Sequence, residues 1–173
     1  MDKTEENLQK AFAGEGQARN KYTFFAKVAR GAGLEQVAAI FEETAENEKA
    51  HAERAFNFLN GLGTTEQNLR HAIEGEEYEH KKMYPEFEKT ARGEGKIEVA
   101  SFFKEVAEVE EKHKERFQKL LKNLQEGKVF KKDQIVEWKC RNCGYVHKGK
   151  EAPEKCPACG YPKSYYELLC ENY

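Results

Sequence analysis

The feature that most constrains this chain is an internal repeat within about its first 126 residues. Two segments recur at a constant offset of 62 residues: residues 30–33 return as residues 92–95, and residues 45–54 return as residues 107–116. The first segment is rich in glycine, and each copy of the second carries a Glu-x-x-His motif. A sequence that repeats in this way predicts two copies of one structural unit.

One part of the repeat is displaced by a single residue. Glu15 matches Glu76 at an offset of 61, whereas Tyr22 and Tyr84 are again 62 residues apart. A residue inserted between Glu76 and Tyr84 would explain the difference, and a helix accommodates such an insertion as a π-bulge. An ungapped match pairs Glu15 with Glu77 instead, so the repeat alone leaves open which glutamate faces inward.

The first part of the chain is predicted to be helical. Residues 4–126 carry apolar side chains at helical spacing, and glycines divide them into four long helices, the third of which Pro85 should kink. From about Gln134 the composition changes to aromatic residues, cysteines and turn residues. The predicted domains are an all-α, antiparallel four-helix bundle over residues 1–134 and a small metal-knuckle domain over residues 135–173.

Ionisable residues interrupt the apolar seam of each predicted helix. In the fourth helix, Glu110 and His113 occupy seam positions between Val106 and Phe117. A buried carboxylate costs several kcal/mol unless it is paired or binds a metal, and no lysine occupies these seams. The candidate metal ligands are the carboxylates and histidines of the seams, namely Glu15, Glu48, His51, Glu76, Glu79, Glu110 and His113.

This set of side chains favours a site for two metal ions. Two divalent cations would offset the five carboxylates to within one charge, while both histidines can bind as neutral imidazoles. A single Glu-x-x-His motif is usually a coincidence on an exposed helix face, but here the motif occurs twice, in register with the repeat. Two such motifs, with a glutamate on each of the other helices, are typical of di-iron bundles. The remaining histidines of this region, His71 and His80, are predicted to be surface residues, although Glu77 and His80 form a third Glu-x-x-His motif that the ungapped match would turn inward.

A second candidate metal site lies in the C-terminal segment, which contains all five cysteines. Cys140 and Cys143 form one Cys-x-x-Cys knuckle, and Cys156 and Cys159 form another, so that four thiolates can close a tetrahedral site. A segment of about 38 residues could scarcely fold without such a metal. Four cysteines hold zinc as readily as iron, so the spacing leaves the metal open. Cys170 lies outside both knuckles and is predicted to be a free thiol.

Charge and hydropathy exclude several classes of partner. The 29 basic and 31 acidic residues nearly cancel, so the sequence predicts neither nucleic acid nor an anionic membrane as a partner. No stretch approaches the length of a transmembrane helix, and the N-terminus lacks the apolar core of a signal peptide. Within a reducing compartment, an odd number of cysteines set in Cys-x-x-Cys pairs favours metal binding over disulfides. These features predict a cytoplasmic protein.

The combined motifs resemble the rubrerythrin family over essentially the whole chain. The resemblance rests on Ala-Phe-Ala-Gly-Glu, Gly-Glu-x-x-Glu, Met-Tyr-Pro, both Glu-x-x-His motifs and the cysteine knuckles. It implies a ferritin-like bundle fused to a rubredoxin-like domain, and it favours Glu76 and Glu79 over Glu77 as the inward residues. The implied metals are two irons, bridged by Glu48 and Glu110 and bound by all seven candidate ligands, and one iron held by the four cysteines. Zinc can occupy either site in a given preparation.

The resemblance also implies an activity. It implies a non-haem peroxidase that reduces hydrogen peroxide to water and protects an anaerobe or microaerophile from oxidative stress. Electrons would pass from NADH through a separate reductase or rubredoxin to the four-cysteine iron. One iron would exchange Glu79 for His51 as a ligand when the pair is reduced. Family members usually form homodimers, and the short connection at residues 60–65 leaves open whether helices are exchanged between chains.

Two other hypotheses use the same residues. A ferritin-like ferroxidase would oxidise and store iron at the bundle site, but ferritin cages use a fifth short helix that this sequence lacks. A zinc-ribbon interaction module attached to a structural bundle would not be an enzyme, and its seam glutamates would be protonated. The two in-register Glu-x-x-His motifs disfavour this second hypothesis.

Overall fold

A computed structural model describes residues 2–171 and contains long helices followed by a small sheet. The chain divides into two compact units, Met1–Thr64 and Thr65–Tyr173. The predicted fold class, four long helical runs followed by a small domain with a cysteine knuckle, is confirmed. None of the described helices combines the length and apolar character needed to cross a membrane.

The first unit is a helical hairpin of α1 (Lys3–Gly31) and α2 (Glu35–Phe58). Asp2 caps α1, because its carboxylate accepts a hydrogen bond from the Glu5 backbone N–H at 2.9 Å while the Glu5 side chain accepts one from the Asp2 N–H. The buried side chains of the hairpin are small, so the two helix backbones can approach closely. These side chains are Ala26, Ala29, Ala38, Ala45, Ala52 and Ala55.

The second unit begins with the rest of the helices. A helical run comprises α3 (Thr65–Tyr78), a π-helical segment (Glu79–Met83) and α4 (Tyr84–Gly93), and it packs against α5 (Ile97–Gln125). The Tyr84 N–H donates to the Glu79 carbonyl, five residues earlier, so this turn holds one residue more than an α-helical turn. The predicted insertion between Glu76 and Tyr84 is therefore confirmed as a π-helical turn, and Pro85 follows in the first turn of α4.

The sequence repeat is also a structural repeat. Each hairpin turn contains a glycine with φ of 75°, at Gly33 and Gly95, in the left-handed region that glycine adopts without steric cost. The same hydrogen bond closes each turn, from the Leu34 N–H to the Ala29 carbonyl and from the Lys96 N–H to the Ala91 carbonyl. The buried alanines recur at the same offset, as Ala29 and Ala91, Ala38 and Ala100, and Ala45 and Ala107.

The C-terminal part of the second unit is an antiparallel sheet of order β2-β1-β3. Its strands are β1 (Lys131–Cys140), β2 (Val146–Glu151) and β3 (Tyr166–Leu168), with a short 3-10 helix (Lys163–Tyr165) before β3. The domain boundary predicted after residue 134 stays a prediction. The core of this sheet consists of Trp138, Cys140, Ala152, Cys156 and Tyr166.

The predicted seam is less buried than the sequence pattern suggested. Some large apolar side chains at seam positions are about half exposed, such as Phe12 at 39% and Phe58 at 57%, whereas Phe41, Phe103 and Phe117 are partly buried. Within residues 2–171 no charged side chain is fully buried, but the seam carboxylates of Glu48 and Glu110 are largely covered, with 17% and 12% of their side chains exposed. Each helical run packs along one neighbour within its hairpin, and a single neighbour covers only one side of a seam.

Candidate metal centres

The first hairpin brings together three of the predicted ligands. Glu15 projects from α1, and Glu48 and His51 lie one turn apart on α2. His51 Nδ1 is 2.9 Å from Glu48 Oε2 and 3.9 Å from Glu15 Oε1. One potential ligand atom of each residue lies within 4.8 Å of the others. We call these three residues the first cluster.

The second unit holds a matching cluster of Glu76, Glu110 and His113. His113 Nδ1 is 2.7 Å from Glu110 Oε2 and 3.6 Å from Glu76 Oε2. The three ligand atoms again lie within 4.8 Å of one another. We call these residues the second cluster, and it has the composition and geometry of the first. The structure thus places six of the seven predicted bundle ligands in two clusters of three.

The seventh predicted ligand, Glu79, lies close to the second cluster without belonging to the compact group of three. It is the first residue of the π-helical segment, one turn after Glu76. Burial and the negative charge of Glu110 raise the pKa of Glu79, while His113 opposes this shift. Charges have such an effect only over short distances, so Glu79 lies near Glu110 and His113. A metal bound at this cluster would therefore also interact with the Glu79 carboxylate.

The second cluster has the electrostatics of a cation site. Burial, then a hydrogen bond and the negative charge of Glu110, raise the pKa of Glu76. Among the ion pairs of residues 2–171, those of the cluster glutamates are with histidine and none is with lysine or arginine. Carboxylates that repel each other and lack a basic partner are stabilised by a divalent cation. The oxygen and imidazole donors of both clusters therefore fit iron, and they fit zinc as well.

The structure separates Glu76 from its neighbour Glu77. The Glu77 carboxylate forms an ion pair with Lys81, whose hydrogen bond and charge lower the pKa of Glu77. The alternative in which Glu77 takes the place of Glu76 therefore has no support in the geometry. Tyr84 lies near the second cluster, since burial and then the charges of Glu79, Glu110 and Glu76 raise the pKa of its hydroxyl.

His80 is a residue whose environment the sequence pattern did not indicate. We predicted a surface histidine, and the structure shows a partly buried one. Its side chain is 25% exposed, and its Nδ1 donates to the Ala107 carbonyl on α5 at 2.8 Å. Nε2 lies 3.7 Å from the Glu111 carboxylate. The π-helical turn changes the direction of side chains beyond Glu79, so a regular 3.6-residue period does not reveal this contact.

The four knuckle cysteines form the third candidate centre. The Sγ atoms of Cys140 and Cys159 are 3.8 Å apart, and those of Cys143 and Cys156 are 3.7 Å apart. A metal with four sulfurs at about 2.3 Å has S···S edges of about 3.8 Å, so these distances match a tetrahedral site. All four sulfurs lie within 4.8 Å of one another. Cys170 is exposed and lies outside this group.

The surroundings of Cys156 favour its thiolate form. Each knuckle contains the same kind of turn. In the first, the Gly144 N–H donates to the Cys140 carbonyl, and in the second, the Gly160 N–H donates to the Cys156 carbonyl. Burial opposes ionisation of Cys156, but the nearby Tyr166 hydroxyl and the backbone N–H groups of Cys159 and Ala158 outweigh it and lower the pKa of this thiol to about 6. The thiolate is the form that binds a metal, so the lowered pKa favours metal binding.

Comparisons with known proteins agree with these features. The rubrerythrin family model matches residues 6–121, and the model of the rubrerythrin rubredoxin-like domain matches residues 138–167. The chain is 50% identical to Rubrerythrin-1 of Clostridium acetobutylicum, over 99% of this chain and 96% of that protein. It is 45% identical to rubrerythrin of Nitratidesulfovibrio vulgaris, again over 99% of this chain and 96% of that protein. A solved structure of nigerythrin in a partially reduced state is 34% identical and covers 98% of this chain and 88% of that chain, with a TM-score of 0.38. The family models and the two rubrerythrin relatives show that the chain belongs to the rubrerythrin family.

Proposed function

We propose that this protein is a cytoplasmic non-haem di-iron peroxidase that reduces hydrogen peroxide to water and protects its cell from oxidative stress. The observation that carries the proposal is the presence of two Glu, Glu, His clusters of equal geometry and a four-cysteine site in one chain. Membership of the rubrerythrin family is consistent with an oxidoreductase of this kind. Two irons supply two electrons, which is the number that the reduction of one peroxide to two water molecules consumes together with two protons.

The proposed roles of the residues follow from their donor atoms. The six cluster residues and Glu79 would hold the iron pair, with Glu48 and Glu110 as the shared carboxylates. The Tyr84 hydroxyl lies beside this group and can donate a hydrogen bond to a carboxylate or to peroxide. The four-cysteine site would take electrons singly, from NADH by way of a separate reductase or rubredoxin, and pass them on.

The length of one connection supports a homodimer in which helices are exchanged. A ferritin-like bundle joins its second and third helices by one long crossover. Here α2 ends at Phe58 and α3 begins at Thr65, so only residues 59–64 connect them. Six residues span at most about 20 Å, whereas the 24 residues of α2 extend about 36 Å. We therefore propose that a second copy of the chain supplies the other half of each ferritin-like bundle and covers the exposed seam.

The peroxidase proposal is tested by anaerobic NADH consumption with hydrogen peroxide and a reductase, on protein of known iron content. The variant Glu48→Ala with Glu110→Ala should lose peroxide-dependent turnover by more than about 100-fold, since even outer-sphere partners of metal ligands contribute up to that factor. A matched control is Glu46→Ala with Glu108→Ala, which removes exposed carboxylates from the same two helices. The control should retain activity.

One outcome would support another function. If iron-loaded wild-type protein ignores peroxide but oxidises added ferrous iron with oxygen, the chain is a ferroxidase that stores or detoxifies iron. Equal loss of peroxide turnover in both double variants would show that the cluster residues have no special role.

Helix exchange is tested by mixing two inactive single variants, Glu48→Ala and Glu110→Ala, after unfolding and refolding them together. In an exchanged heterodimer, one bundle receives both altered halves and the other receives two native halves. With random pairing, half of the dimers are mixed and one of their two sites is native, so about a quarter of wild-type activity should return. No return of activity would show that both halves come from one chain.

A further inference from the structure

The position of Tyr166 connects the sheet to the four-cysteine site. Tyr166 begins β3 and pairs with Cys140 in the β1–β3 ladder. Its ring belongs to the buried core that also contains Trp138, Cys140 and Cys156, and only 4% of the residue is exposed. The side chain is therefore held against two of the four metal-binding residues by backbone pairing on one side and packing on the other.

The hydroxyl of Tyr166 has an unmet hydrogen-bonding requirement. Among the buried side-chain nitrogen and oxygen atoms of residues 2–171, the Tyr166 hydroxyl oxygen alone lacks a hydrogen-bond partner. Trp138 in the same core differs, because its Nε1–H donates to the Gly149 carbonyl at 3.1 Å. Buried hydroxyl groups in native proteins almost always have a partner, so one that lacks it indicates a missing group or a change of state at the site.

The sulfur of Cys156 is suited to meet this requirement. Tyr166 and Cys156 belong to one buried cluster, and the Tyr166 hydroxyl forms no hydrogen bond there. A neutral thiol is a weak acceptor. A metal-bound thiolate carries negative charge and accepts a stronger, charge-assisted hydrogen bond. Metal binding at the four cysteines would thus supply the acceptor that the Tyr166 hydroxyl lacks.

We propose that Tyr166 is a positioning residue of the four-cysteine site, whose hydroxyl donates a hydrogen bond to metal-bound Cys156 Sγ and raises the reduction potential of iron bound there. The inference rests on the proposed iron at this site. Reduction adds one electron to the iron and breaks no bond, and the proton stays on the Tyr166 oxygen. The reduced site is more negative by one charge than the oxidised site, so a hydrogen-bond donor to sulfur stabilises the reduced state more.

The test compares Tyr166→Phe with wild-type protein, both full length and reconstituted with iron. The phenylalanine keeps the buried ring and removes only the donor. We expect the ratio of reduced to oxidised iron at a fixed applied potential to fall about threefold to tenfold, and a tenfold fall corresponds to ~59 mV for a one-electron couple. The thiolate-to-iron charge-transfer absorption should shift as well. The matched control is Tyr165→Phe, an adjacent tyrosine that is 42% exposed, and it should change neither quantity.

These readouts do not depend on peroxide turnover. A protein without peroxidase activity would refute the proposed function and leave the effect of Tyr166 on the iron potential measurable. Equal potentials and absorption spectra in Tyr166→Phe and Tyr165→Phe would overturn the inference.

A measurement on wild-type protein decides the question if Tyr166→Phe does not fold or does not hold iron. In protein loaded with a spin-half cadmium isotope, the Tyr166 hydroxyl proton should exchange slowly with solvent and show scalar coupling to the metal through the sulfur. A rapidly exchanging proton without coupling would mean that the hydroxyl bonds to water or to nothing, and would overturn the inference.

Discussion

The π-helical turn allows a sharp test of how the repeat is built. Tyr22 lies seven positions after Glu15 in α1, while Tyr84 lies eight positions after Glu76 in the second unit. The segment Glu79–Met83 accommodates the additional residue. Deleting Lys82, an exposed residue of this segment, should therefore convert the π-helical turn into an α-helical turn and keep both flanking helices in register.

The expected effect on stability is small for this deletion. One residue of an α-helix corresponds to a rotation of about 100° and a rise of about 1.5 Å. The π-helical turn holds one residue more than an α-helical turn and keeps the flanking helices in register. Deleting one of its residues therefore restores a regular helix and affects about one backbone hydrogen bond. The free energy of unfolding should change by no more than about 1 kcal/mol.

Deleting Lys21, an exposed residue at the matching place in α1, is the control. Here the helix is regular, so one half of α1 must turn by about 100° relative to the other. Either the Phe12–Phe56 stack, with ring centroids 4.8 Å apart, or the buried side chains of Ala26 and Ala29 lose their contacts. The loss of an aromatic pair or of buried methyl groups, with their neighbours, should cost at least about 2 kcal/mol.

Urea unfolding of metal-free protein, followed by helical circular dichroism, measures both free energies. The Lys82 deletion should unfold near the wild-type midpoint, and the Lys21 deletion should unfold at distinctly lower urea. Equal destabilisation by the two deletions would refute the explanation of the π-helical turn as an inserted residue.

Three further predictions concern single residues. Gly33→Ala should cost about 1 kcal/mol in thermal unfolding, because alanine is disfavoured at a φ of 75° although open space surrounds the added Cβ. Gly31→Ala, whose added Cβ also meets nothing, should not destabilise, and equal losses would contradict the argument. In metal-free protein, the raised pKa of Glu79 means that the folded state binds this proton more tightly than the unfolded state, so stability should fall as the pH rises from about 4.5 through the raised pKa. In urea titrations, the free energy of unfolding of Glu79→Gln should therefore depend less on pH than that of wild-type protein. If the two free energies differ by the same amount at every pH, the explanation is refuted. Cys170→Ser should keep one metal ion at the four-cysteine site, whereas Cys143→Ser should lose it. The amount of metal bound per chain measures this. Loss of that metal from Cys170→Ser would mean that the ligand assignment is wrong.

The two carboxylate clusters could be predicted because helical periodicity is local. Once Glu48 and His51 are placed on a helix, their separation by one turn on one face follows from the geometry of the α-helix. The repeat then indicates that Glu110 and His113 behave in the same way, and the structure shows equal contacts in both clusters. The cysteine knuckles were predictable for a similar reason, since each Cys-x-x-Cys pair forms within a single turn.

Other features depend on contacts between segments that are distant in the sequence. His80 hydrogen-bonds to Ala107, 27 residues away, and nothing in the local pattern around His80 indicates this partner. Tyr166 lies beside Cys140 because β3 pairs with β1, and the spacing of the cysteines does not require that pairing.

The sequence by itself therefore determined the elements and the ligand types: the repeated helices, the inserted residue, both glutamate and histidine clusters and the four-cysteine knuckles. These features depend on periodicity and short spacing, which neighbouring residues set. The tertiary structure alone decided that Glu77 pairs with Lys81, that His80 reaches the Ala107 carbonyl, and that the Tyr166 hydroxyl is buried without a partner beside the cysteines. Such features depend on which surfaces meet when distant segments pack, because burial and hydrogen-bond satisfaction are properties of the folded chain and not of any short segment.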